Sequence, residues 1–133
     1  VIRLDNRTLH LCEAGLAVAE YRVAIGRGGI GKRKEGDNKT PIGEYKLGEP
    51  RGSSRFGVFI PIGYPTAAQR RNGYTGSAIG IHGPSRSFAW AGWVNTAADW
   101  TEGCIAVVSD KQIREIAAWV RDNDPSVVSL LGD

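Results

Sequence analysis

From Val1 to Leu11 apolar and polar residues alternate, and the alternation is interrupted at Asp5-Asn6. A period of two marks half-buried strands. Ile2 and Leu4 therefore sit on one strand, the chain turns, and Leu9 and Leu11 sit on the next. Glu13-Ala14-Gly15 supplies another turn. Leu16 to Ile25 reads as a longer strand, with Val18, Tyr21, Val23 and Ile25 as inward candidates, and the three strands predict an antiparallel meander. Gly26 to Thr40, GRGGIGKRKEGDNKT, has no apolar period and is expected as a mobile loop. Strand character returns in PIGEYKL (Pro41 to Leu47) and in FGVFIPIGYP (Phe56 to Pro65), where Pro61 implies an edge or a bend. Thr66 to Gly76 is polar and ambiguous. SAIGIHG (Ser77 to Gly83) predicts a short strand ending at His82, GCIAVV (Gly103 to Val108) another, and Val127 to Leu131 the last.

The pattern changes period once. Ile113, Ile116, Ala117 and Val120 are spaced to line one face of a helix over Asp110 to Asn123. Ser109 and Gln112 fit a capping box at its start, and Asn123-Asp124-Pro125 stops it. The expected fold class is therefore mainly β: mixed β-sheets with one principal packed α-helix at about 110–123. With 133 residues, no internal repeat and no linker, the chain reads as a single domain over 1–133. That length supports a hydrophobic core without metal or disulfide.

Composition adds little to this picture. Eighteen glycines favour a turn-rich β chain over a bundle. A net charge of +3 suits an anionic partner such as a cell wall, and equally an ordinary solvated surface. Cys12 and Cys104 are no disulfide scaffold, and the scattered Cys and His residues lack zinc-ligand spacing. No apolar run reaches transmembrane length, and no signal peptide is recognised; the chain opens on strand-like sequence, as a mature or trimmed form would. GRGGIG (Gly26 to Gly31) matches the dinucleotide fingerprint in letters only. The helix that the fingerprint requires is replaced by Lys32-Arg33-Lys34-Glu35-Gly36-Asp37, which has no apolar face. The same basic run has no interleaved aromatics and no accompanying nucleic-acid module, so it reads as a solvated loop.

Two residues stand apart. Cys104 follows Gly103 and opens an apolar strand; His82 closes another and precedes Gly83. A nucleophilic cysteine needs a base and N–H donors for an oxyanion, and strand ends supply both when they are neighbours. Spacing alone leaves open that both are simply buried. His10 and Cys12 read as packing or surface residues. Between His82 and Cys104 lie Trp90, Trp93 and Trp100, which either line a groove with Tyr64 or pack their own loop onto the sheet.

At these positions the chain resembles the L,D-transpeptidase catalytic domain, the YkuD-type family of bacterial cell-wall enzymes. Thr40, Pro41, Gly43 and Tyr45 in GDNKTPIGEYKL resemble its T-P-x-G-x-[YF] segment. IHG (Ile81 to Gly83) resembles its histidine motif, and TEGCIAV (Thr101 to Val107) its nucleophile motif. The departures are Glu102 where histidine is frequent, Ala106 where Arg or Asn is common, and a long stretch from His82 to Cys104. Arg86 is the candidate to replace the missing arginine.

The resemblance implies a mechanism and a setting. Cys104 would attack the carbonyl of the third residue of a peptidoglycan stem tetrapeptide. His82 would hold the thiolate as an ion pair, oriented by the Gly83 carbonyl, and then protonate the leaving D-alanine. The N–H groups of Gly103 and Cys104, with Glu102, would form the oxyanion hole. Tyr64, Arg86, Trp90, Trp93, Trp100, Thr101 and Glu102 are the implied substrate contacts. The thioester would pass to an amine, giving a 3→3 cross-link or protein attachment. The alternatives are an L,D-carboxypeptidase or amidase on the same substrate class, or a non-catalytic wall-binding module. No cofactor, metal, nucleic-acid partner or membrane insertion is expected. A monomer in the bacterial cell envelope, periplasm or cell wall, is.

Overall fold

The computed structural model describes residues 1–132. The opening meander forms as expected: β1 (Ile2–Arg3), β2 (Thr8–Glu13) and β3 (Leu16–Ala24) pair antiparallel in sequence. Its inward residues differ from the expectation at one position. At the register shift, Leu11 lies opposite Ala19 and Cys12 opposite Ala17, which leaves Val18 as an unpaired bulge residue. Val23 and Ile25 are buried and Tyr21 is half-buried, whereas Val18 lies on the opposite face and is exposed.

The segment expected as a mobile loop is built. β4 (Gly29–Ile30) and β5 (Lys39–Thr40) pair in parallel, and Asp37 staples the turn between them. Its carboxylate accepts from the backbone N–H groups of Arg33, Lys34 and Lys39 and from the Lys32 ammonium 3.0 Å away. Burial pushes this carboxyl up, but the donors outweigh it and hold the acid far below the ordinary carboxylate range. Lys32 is consequently buried rather than solvated.

β6 (Gly43–Lys46) follows, then an antiparallel hairpin of β7 (Arg51–Ser53) and β8 (Gly57–Pro61). The ambiguous stretch holds a short helix, α1 (Ala67–Arg71), closed by a reciprocal capping box between Thr66 and Gln69. It buries no residue, which is why no apolar pattern announced it. β9 (Gly80–His82), β10 (Ile105–Val107), α2 (Asp110–Asn123) and β11 (Val127–Leu131) complete the elements. Between β9 and β10, Arg86–Thr96 forms a 3₁₀ stretch kinked at Gly92, which takes φ 59°.

The nine strands other than β4 and β5 form one sheet in the order β6-β11-β1-β2-β3-β10-β9-β8-β7. It is mixed: β1/β11 and β9/β10 run parallel. Ile113, Ile116, Ala117 and Val120 of α2 are buried, as their spacing predicts, in a core that includes Ile60, Ile81, Ile105 and Leu130. Ser109 caps α2 through Gln112 N–H, while the Gln112 side chain accepts from Val108 N–H, one residue earlier than a standard capping box. Asp124 ends the helix in the left-handed region, at φ 45°. Among the described residues no helix is long and apolar enough to cross a membrane.

Candidate active site

The pairing of β9 with β10 brings the two ends of the long segment together. Ile105 lies opposite Ile81. Side chains alternate along a strand, so His82 and Cys104, each one residue away from that pair, emerge on the same face. Both line a cavity of about 650 Å³.

His82 is fully buried and held on three sides. Its Nδ1 donates to the Gly83 carbonyl at 2.6 Å, which leaves Nε2 as the free ring nitrogen. Phe56 stacks on the imidazole at 3.6 Å and 13°, and Trp100 meets it edge-on at 5.8 Å. Burial among these rings pushes the imidazole down to about 4, against the Gly83 carbonyl, and the Arg55 charge adds to the fall. Cys104 is half-buried. Its thiol donates to the Ala78 carbonyl at 3.3 Å. Burial pushes it up to about 11, with the Gly80 N–H and the Arg55 and Lys32 charges opposing and Glu102 adding. Both directions favour the neutral form of each group taken singly. Desolvation of two groups that would carry charge outweighs the nearby dipoles.

The turn before Cys104 is fixed by two threonines. Thr101 Oγ1 donates to the Cys104 carbonyl at 2.6 Å and accepts from Gly103 N–H at 3.2 Å. Thr40, fully buried, accepts from Gly26 N–H at 2.8 Å and donates to the Gly103 carbonyl at 2.9 Å. Gly103 itself takes φ 136°, and a Cβ there would lie 2.8 Å from the Lys39 carbonyl oxygen. Only glycine fits. The expected Gly103 N–H is thus engaged with Thr101, while among the described residues the Cys104 N–H has no protein partner.

The sequence-derived substrate contacts divide. Trp100, Thr101 and Glu102 line the cavity with His82 and Cys104. Trp90 and Trp93 do not; they project from the 3₁₀ stretch at 82% and 74% exposure. Tyr64 is in the core, edge-on to Tyr45, with its hydroxyl on the Thr75 carbonyl. Arg86 pairs with Asp110 outside the cavity lining. The cavity instead gathers residues that sequence reasoning gave no role: Arg27, Lys32, Arg51, Arg55 and Phe56. Of the missed residues, Thr40 had a signal, since it opens the T-P-x-G-x-[YF] segment. Arg55 had none, because it lies in a polar turn with no period, and Phe56 was legible only as the start of an apolar strand run.

The comparisons agree with this architecture. A family model for the YkuD L,D-transpeptidase catalytic domain matches residues 1–128. The Escherichia coli (strain K12) protein YafK, an L,D-transpeptidase by name, is 34% identical over 102 residues, covering 71% of this chain and 42% of YafK. The helical cell shape determining protein Pgp2 of Campylobacter jejuni superposes with a TM-score of 0.74 at 23% identity, over 99% of this chain and 46% of Pgp2. An L,D-transpeptidase of Xylanimonas cellulosilytica gives a TM-score of 0.53 at 22% identity, over 97% of this chain and 57% of that one. The chain spans less than half the length of YafK and of Pgp2. At these identities the structural likeness speaks for the fold, and the sequence match speaks for the family: this chain belongs to the YkuD family of L,D-transpeptidase catalytic domains.

Proposed function

We propose that this domain is a cysteine L,D-transpeptidase acting on peptidoglycan stem tetrapeptides. The observation that carries the reading is the parallel β9/β10 pair, which sets His82, with Nδ1 committed to Gly83, on the same face as Cys104 in one cavity.

The chemistry follows from a neutral pair. On attack, the Cys104 sulfur forms a bond to the carbonyl carbon of the third stem residue, and the thiol proton passes to His82 Nε2. The Cys104 N–H, which has no protein partner among the described residues, faces the developing oxyanion; one such donor is typically worth about 10²–10³ in rate. As the C–N bond breaks, His82 returns the proton to the leaving D-alanine amine, and a thioester remains. An acceptor amine then attacks the thioester carbonyl, gives its proton to His82, and the C–S bond breaks with the proton restored to sulfur. The products are a 3→3 cross-linked peptide or a wall-attached amine. The work of such an enzyme lies at the cell wall, and a contribution to cell shape fits the likeness to Pgp2.

Purified tetrapeptide muropeptides incubated with the protein distinguish the possible outcomes by product mass. Dimers support transpeptidation, tripeptides alone replace it with carboxypeptidase activity, and unchanged substrate leaves a wall-binding module.

A further inference from the structure

The cavity is rimmed by more positive than negative charge: Arg27, Lys32, Arg51 and Arg55 against Glu35 and Glu102. These cations are not equivalent. Lys32 is consumed by Asp37 and the Lys34 carbonyl. Arg51 also lies over an aromatic ring, Phe59, at 5.2 Å, but that ring is 6.3 Å from the His82 imidazole where Phe56 is at 3.6 Å. Arg86, the sequence-based candidate, is paired with Asp110. Arg55 is exposed on the turn between β7 and β8, with no carboxylate partner among the described residues. Its guanidinium sits 4.9 Å over the Phe56 ring, and Phe56 is the ring stacked on His82. Phe56 thus contacts both the guanidinium and the imidazole.

We infer that Arg55 is the specificity-determining residue that binds the free carboxylate of the leaving amino acid, so that the site takes donor peptides ending in a carboxylate one residue beyond the scissile carbonyl. The inference rests on the proposed reaction at Cys104. A guanidinium stacked on an aromatic face keeps its N–H edges free, and those edges match a carboxylate bidentately. Substrate geometry fits. The leaving nitrogen must approach His82 to be protonated, and in an amino acid the carboxylate carbon lies only about 2.5 Å from that nitrogen, as the N–Cα and Cα–C bonds dictate. Arg55 lines the same cavity as His82 and shares the Phe56 ring with it, which puts a cation in reach of that carboxylate. Binding also changes the base. The Arg55 charge disfavours imidazolium in the empty site, and a bound carboxylate neutralises that charge just as His82 must accept the thiol proton.

The test is a binding measurement that needs no turnover. Calorimetry compares a stem tetrapeptide and its C-terminal amide on Cys104→Ala and on Cys104→Ala/Arg55→Gln, with Cys104→Ala/Arg55→Lys as the charge-preserving control. The inference expects the acid to bind about 10–100-fold more weakly once Arg55 is Gln, as loss of a charged hydrogen-bonded pair implies. The amide should bind both variants alike, with partial recovery of acid binding for Lys. Equal affinities of the acid for both variants overturn it, as does an equal loss for acid and amide. Turnover by the wild-type protein is scored separately. Absent turnover with intact acid discrimination removes the proposed reaction and leaves the carboxylate site standing.

Discussion

The hydroxyl of Thr40 donates to the carbonyl of Gly103 at 2.9 Å, so a residue of the T-P-x-G segment fastens the turn that presents Cys104. The same oxygen accepts from Gly26 N–H. Thr40→Val keeps the volume and removes both bonds, leaving a buried N–H and a buried carbonyl unpaired. The expected cost is about 1–3 kcal/mol of stability, read as a fall in the denaturation midpoint. A slower acylation of Cys104 should accompany it at temperatures where the variant remains folded. Unchanged stability and unchanged acylation would remove Thr40 from this role.

A neutral resting pair predicts a pH signature. A thiol pushed up to about 11 alkylates slowly with iodoacetamide at pH 7, and its rate climbs through the alkaline range. A rate already on its plateau between pH 6 and 8 would mean a preformed ion pair. His82 also affects stability. Its folded value of about 4 lies below the ordinary 6.5, so the unfolded chain binds the extra proton between those values. The stability contributed by keeping His82 neutral is fully present above pH 6.5 and falls as pH drops towards 4. His82→Gln should therefore lose less stability than wild type across that window, measured by denaturant unfolding at each pH.

The tryptophans separate by position. Trp100 lines the cavity, lies edge-on to His82, and is anchored by its Nε1–H on the Asn95 carbonyl at 2.8 Å. Trp100→Ala should lower kcat/KM on tetrapeptide muropeptides by at least about tenfold, since it loosens the packing that orients His82, the proposed base. Trp90→Ala and Trp93→Ala, which remove exposed rings outside the cavity, should change it by less than about threefold. The reverse ranking would place the substrate over the 3₁₀ stretch.

The contrast between these residues explains what sequence could and could not convey. Periodicity found the opening meander and α2 because their inward positions, such as Val23, Ile113 and Ile116, are buried in the common core. It failed at Val18, which is three residues from Tyr21 and so on the opposite face, and is the unpaired bulge residue between Ala17 and Ala19. It found β8 but was silent on its partner β7, whose RGS sequence is polar, and on α1, which buries nothing. The His82–Cys104 juxtaposition was legible as motifs, but it is made by a parallel pairing across a long insertion, which no local pattern encodes. Trp90 and Trp93 misled because aromatic content signals burial on average, and here the rings face outward. Arg55 escaped because nothing in a lone turn arginine reveals that its neighbour stacks on the histidine.

The most direct test is the intact mass of the protein quenched during turnover of a tetrapeptide muropeptide, followed by mapping of the modified peptide. The account predicts an adduct of the donor lacking D-alanine, carried as a thioester on Cys104, and its loss together with all turnover in Cys104→Ala. Turnover that persists in Cys104→Ala, or an adduct on another residue, would contradict it.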